Sequence, residues 1–207
     1  MITGLRHETY EKLQLDAGIF LIGYTLPETV VDAATMKQEI AKEINAGTHL
    51  LGATRGGGTF RCVPTMRGIE ADGKRSEFVG SMVNDGWDVR LTTTLIEMTG
   101  ENFKRAFPSA EMTGDAAKTV IKPKTAITKD DYKSLMWIGE TSMGAMLINL
   151  TNAMNVAGAQ FTFTDKGEGE LPVEFRAFQS TVLNQDYAPC EIHFLGANTA
   201  STASNTK

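Results

Sequence analysis

Four of the seven residues from Gly52 to Gly58 are glycine, in the stretch GATRGGGTF (52–60). Such loops hold phosphate when their backbone N–H groups crown the N-terminus of a helix and a Lys-Ser/Thr pair follows to reach phosphate and Mg²⁺. Here no lysine follows, and the next residues, TFRCVPTM (59–66), read as a strand. The dinucleotide fingerprint fails too, because it needs strand, loop and then helix. Gly56, Gly57 and Gly58 instead let the chain turn sharply at the start of a strand or pass close to another backbone. Arg55 is placed to pair with a carboxylate or to stand in solvent.

The other reactive groups do not converge. Cys190 and His193 are three apart in CEIHF (190–194), which in a strand puts them on opposite faces, so they do not share a metal ion. Cys62 stands alone, and His7 and His49 sit in polar segments. There is no G-x-S-x-G and no recognisable nucleophile with a poised base. Asp85 and Asp88 flank Trp87 as solvated carboxylates rather than as a catalytic pair. The sequence therefore nominates no catalytic residue, no metal ligand and no cofactor site. Two cysteines are too few for a disulfide framework and read as buried thiols of a reducing compartment.

The elements that position these residues are mostly strands. In WDVRLTTTLIEM (87–98), Trp87, Val89, Leu91 and Leu95 oppose Asp88, Arg90, Thr92 and Thr94. AQFTF (159–163), ELPVEFRAF (170–178) and CEIHF alternate in the same way, with Ala159, Phe161, Phe163, then Leu171, Val173, Phe175, Ala177, then Cys190, Ile192, Phe194 on the buried sides. Further strands are expected at 13–24, 59–66, 76–83 and 133–140. The strand SMGAMLINL (142–150) is apolar on both faces, Met143, Ala145 and Leu147 against Met146, Ile148 and Leu150, and is buried twice over or covered by a partner subunit. Two helices interrupt the pattern. One runs from about Ala33 to Ala46, capped by Asp32, striped by Met36, Ile40 and Ile44, and stopped at Gly47. A short one follows Thr99, carries Phe103, Ala106 and Phe107 on one side, and ends before Pro108.

The expected fold is mainly β, a sandwich or barrel with one or two flanking helices, in a single domain over 1–195 followed by a polar tail over 196–207. The composition, 42% hydrophobic with a net charge of −5 over 207 residues, is that of a globular chain and argues against tight binding to DNA, which favours basic surfaces. No apolar run long enough to span a membrane occurs, and MITGLRHETYEK (1–12) lacks the apolar core of a signal peptide. The two-faced strand and the open edges of any sandwich suit self-assembly.

Read in order, LDAGIFL (15–21), GATRGGGTF, IEADGKR (69–75), GWDVRLTTTLIEMTGENFKRAF (86–107), LPVEFRAFQS (171–180) and APCEIHF (188–194) resemble the major tail tube proteins of long-tailed bacteriophages, especially those of Gram-positive hosts. The segment 108–140 and the tail from 196 match less clearly. The resemblance implies a structural virion protein: a β-sandwich with a flanking helix that lends long hairpins to a shared inner barrel. Six subunits form a ring, and rings stack into a hollow tube that carries the genome. It implies further partners: copies of the chain, a tape measure protein in the lumen, tail tip or baseplate and tail terminator proteins, and viral DNA in transit without tight binding. Assembly would take place in the host bacterial cytoplasm, with no membrane involved, and a tube for a non-contractile tail is favoured. An acidic or neutral lumen would let DNA slide. The interface is expected at Arg55, Gly56, Gly57 and Gly58, at Met143, Met146 and Ile148, and at the loop before the 33–46 helix, with Trp87 and Phe175 in the core. The alternatives are a monomeric carbohydrate-binding or adhesion module, which needs an exposed aromatic platform, and an enzyme of unfamiliar site.

Overall fold

A computed structural model describes residues 13–14, 16–115, 117–181 and 186–196, so the N-terminal dodecapeptide and the polar tail beyond Gly196 lie outside it. In chain order the elements are β1 (Ile19–Ile22), α1 (Ala33–Ala46), β2 (Thr54–Gly68), β3 (Met82–Leu95), α2 (Gly100–Arg105), β4 (Ala110–Gly114), β5 (Thr119–Pro123), β6 (Lys133–Thr141), β7 (Gly144–Asn155), β8 (Leu171–Ala177) and β9 (Cys190–Gly196). The fold is mainly β and antiparallel. The main sheet runs β1-β6-β7-β8-β3-β2, with β9 also paired to β7, and β4-β5 form a separate hairpin.

β7 belongs to two arms of this sheet. Gly144–Leu150 pair with β9, whereas Ala153–Asn155 pair with β8. Between them Asn152 has a left-handed backbone, φ 48°, beside a register slip against β6 at Lys133–Leu135. An extra residue bends and twists a strand, and asparagine tolerates the left-handed region better than most side chains. The sheet thereby folds over on itself. One core gathers Phe20, Leu135, Ile148 and Leu150 from the first arm with Val89, Leu91, Leu95, Val173 and Phe175 from the second. The opposite face of the first arm, with Leu21, Met136, Ile138, Ala145 and Leu147, is covered by Ala33 and Met36 of α1 together with Tyr24 and Val30. Within one chain the two-faced strand is thus covered on both sides from Gly144 onward, with Met146 half-buried and Met143 exposed.

α1 forms where the sequence places it. Asp32 Oδ1 accepts from the Thr35 N–H at 2.8 Å, and Gly47 closes the helix in a left-handed turn. Its apolar stripe fades at the end, leaving Ile44 exposed. α2 is capped by Thr99, whose hydroxyl accepts from the Asn102 N–H. Three strand expectations fail or shrink, and a fourth strand forms without the burial expected of it. The 13–24 strand is cut to Ile19–Ile22 by left-handed Gly18 and Gly23. In 76–83 a tight turn from Phe78 to Ser81 prevails, and only Met82 and Val83 join β3. AQFTF forms no strand and makes only a bridge between Thr162 and Glu170, with Phe161 and Phe163 turned outward. β9 forms, but Ile192 and Phe194 are exposed, because the second arm does not reach over them.

Candidate assembly interface

β2 and β3 form a hairpin longer than the sheet that holds it. They pair from Thr54–Leu95 to Gly68–Met82, but β8 supports β3 only over Arg90–Leu95. The outer half, 61–68 with 82–89, reaches about 25 Å at the usual rise per residue. Among the described residues both of its edges are free. A two-stranded ribbon of this kind is marginal alone in water. Val63, Met66, Met82 and Trp87 lie exposed along it. Trp87, expected in the core, continues the inward row of Leu91 and Val89 but stands beyond the layer beneath, 38% exposed. Phe175, also expected in the core, is buried there.

The glycine stretch does not precede a strand. It is inside β2, where the register against β3 slips between Arg55 and Gly58. Gly56 and Gly57 take φ of 75° and 71°, as a bulge requires, and the Thr93 hydroxyl donates to the Gly57 carbonyl at 2.8 Å. A Cβ on Gly58 would lie 2.5 Å from the Thr92 carbonyl oxygen, so the expected close backbone approach is met there.

The fold brings most of the nominated interface residues together. Gly56, Gly57 and Gly58 line a cavity of about 280 Å³ with Met146, Ile148 and Trp137, at a gap between the two arms. Ile148 itself is buried, so it presents nothing outward except through that gap. Arg55 is not free: its guanidinium donates to Glu168 at 2.7 Å and to Glu170 at 3.2 Å in the same chain. Met143 lies apart, exposed in the turn from β6 to β7.

Most of the charge on the hairpin and its neighbour strand is compensated, exposed Arg61 acting only at a distance on Asp88. Asp88 pairs with Arg90 at 2.9 Å and with Arg176 at 3.1 Å, and Arg90 also pairs with Glu174. Asp85 pairs with Arg67 at 2.8 Å. The Arg90 hydrogen bond holds the Asp88 carboxyl below its ordinary range, and the Arg67 hydrogen bond does the same for Asp85. Cys190 and His193 lie on opposite faces of β9, as their spacing requires. Burial pushes the Cys190 thiol up to about 12, with the neighbouring Cys62 thiol adding to it. A thiol held that high is a poor nucleophile at neutral pH. His49 Nδ1 lies 2.6 Å from Glu43 Oε2 at the end of α1.

Sequence reasoning missed two features. Buried Asn155 ties three elements together: its Nδ2 donates to the Ala106 carbonyl at 2.8 Å, and its Oδ1 accepts from the Ala157 and Glu174 N–H groups. An asparagine directly after the apolar pair Ala153-Met154 was the available signal. The exposed aromatic rings were also unforeseen. Phe163 packs on Phe161, and Phe161 on Phe103, at 5.6 and 5.4 Å between centroids. Their planes are tilted by 39° and 70°, so they form no flat platform.

No family model matches the chain, and no curated protein matches it. Among the described residues no helix is long and apolar enough to cross a membrane.

Proposed function

We propose that this chain is a structural subunit that assembles with copies of itself into stacked six-membered rings, forming the hollow tail tube of a long-tailed phage. The observation that carries this reading is the overhanging half of the β2–β3 hairpin, with open edges and exposed Met66, Met82 and Trp87. A barrel shared among subunits removes such edges, because each hairpin is paired by a neighbour. The helix-backed, folded-over antiparallel sheet is compatible with the tail-tube fold implied by the sequence resemblance. In such a tube the charged outer face of β3 and β8 lines the lumen. Arg67, Arg90 and Arg176 each have a carboxylate partner, so among the described residues exposed Arg61 is the cation of this face left to meet phosphate, too little to grip DNA as it slides. The tape measure protein occupies the same lumen before the genome does. Tail tip or baseplate proteins start the tube, and a terminator protein ends it.

A monomeric carbohydrate-binding module is the second reading, favoured by the exposed Phe161 and Phe163. Their tilted rings and lack of hydrogen-bonding groups weigh against it.

The test replaces residues 66–85 by an Asn-Gly turn joining Thr65 to Gly86, which are cross-strand partners. Light scattering of the full-length chain should give the mass of six subunits or more. The shortened chain should keep the circular dichroism of a folded β protein and remain a monomer. A shortened chain that assembles as well as the full-length one would remove the hairpin from the account.

A further inference from the structure

Two apolar rows in this molecule each lack a covering layer, and the two deficits are complementary. The first is on β9. Phe194, Ile192 and Cys190 stand opposite Met146, Ile148 and Leu150 of β7, so all six side chains project from one face of the sheet. Ile148 and Leu150 are buried under the second arm, whereas Ile192 is 49% and Phe194 76% exposed. β9 pairs with β7 alone among the described residues, so its outer edge is open. Edge strands that remain solvated normally carry charge or proline on the exposed side. β9 carries its charge, Glu191, on the other face.

The second row is on the hairpin. Pro64 lies opposite Trp87, Met66 opposite Asn84 and Gly68 opposite Met82. Pro64, Met66, Trp87 and Met82 therefore continue the inward row of Cys62 and Val89 beyond the point where the first arm stops supporting it. The first arm has an uncovered floor at β9, and the second has an unsupported roof at the hairpin.

We propose that the overhanging hairpin of one copy lies across β9 of a second copy, with Trp87, Met66 and Met82 against Ile192 and Phe194, and that this contact repeats head to tail. The assignment rests on the ring reading above and names the surfaces that make the ring. The occupant is a second copy because both unfinished layers extend the same core and each supplies what the other lacks. A contact between two different surfaces of one chain is heterologous and closes into a ring when its rotation permits. An aromatic side chain buries about 150–250 Å². Only the exposed fraction remains to be covered, 38% of Trp87 and 76% of Phe194, so each row forms the apolar centre of an interface rather than the roughly 800 Å² per partner of a complete one, the surrounding rim supplying the rest. A symmetric β9-to-β9 contact would leave the hairpin row bare.

The experiment uses the full chain with Phe194→Asp, with Trp87→Asp, and with both variants mixed. Both residues are exposed in the single chain, so each variant should retain the wild-type circular dichroism. If Trp87→Asp fails to fold, Met66→Asp with Met82→Asp carries the same test. Sedimentation should show each variant alone as a monomer, its self-association weakened roughly 30-fold or more, as for an interface hot spot. An equimolar mixture should give a dimer and nothing larger, because each pair retains one intact contact. Phe194→Asp assembling like the wild type would overturn the assignment while leaving the ring reading standing. So would Trp87→Asp assembling normally while Phe194→Asp does not, the signature of a symmetric β9 contact. So would a mixture that remains monomeric. A wild-type chain that is monomeric at every concentration and beside a preformed tail tip would instead overturn the ring reading itself, and this contact with it.

Discussion

Asn155 shows how one polar side chain holds this fold in register. It is buried and bonds to Ala106, Ala157 and Glu174 across three segments. Asn155→Ala would leave those backbone groups buried without partners, at about 1–3 kcal/mol for each unsatisfied group. Urea unfolding should show a loss of at least 2 kcal/mol, roughly one such group's penalty with partial relaxation. Gly57 makes a different demand. Its φ of 71° is left-handed. Gly57→Val should cost about 1–2 kcal/mol from backbone strain and impair folding or assembly, while Gly57→Asn should cost less. Equal unfolding midpoints for the two variants would contradict the bulge as the reason for this glycine. Asp88 sets a pH dependence. The Arg90 hydrogen bond lowers its carboxyl from the ordinary 3.8, so the stabilisation is present above that value and is lost as pH falls through the lowered one. Asp88→Asn should therefore cost about 1 kcal/mol or less at neutral pH, as for a partly exposed ion pair. The difference from wild type should vanish in strong acid. A penalty unchanged by acid would show that the ion pairs are not its source.

At the scale of elements, β8 is the strand on which both arms depend. Phe175 fills the space between them, and Phe175→Ala should cost about 3–5 kcal/mol, read from the denaturant midpoint. β8 was legible because its alternation, Leu171, Val173, Phe175 and Ala177, matches a face that is covered along its full length. α1 was legible for a local reason, since Asp32 and Gly47 write its ends into the chain. β9, Trp87 and AQFTF show the limit of that reading. Alternation tells which side chains share a face, but it carries no information on whether another layer lies over that face. Ile192 and Phe194 lie on the core-directed face, as the pattern requires, yet stay exposed because the covering arm stops short. Likewise, the glycines of GATRGGGTF announced an unusual backbone, but only the pairing of β2 with β3 reveals an interior bulge rather than a bend before the strand. Of the nominated interface residues, Gly56, Gly57, Gly58, Met146 and Ile148 were brought to one cavity, whereas Arg55 and Met143 were not legible as to partner.

The whole molecule has an overhanging roof at one place and an exposed floor at another. Within one chain both are liabilities for aggregation. Repeated around a ring they become each other's cover, and a net charge of −5 per chain restrains indiscriminate association. The charged face of β3 and β8 can then line a channel without gripping phosphate. The central claim is self-assembly into a hollow tube. It is tested most directly by electron microscopy of the purified full-length chain across a concentration series, alone and with a preformed tail-tip complex as nucleus. The account predicts rings of six subunits or tubes of uniform width with an open lumen. Particles that remain single subunits even beside the tail tip would contradict it.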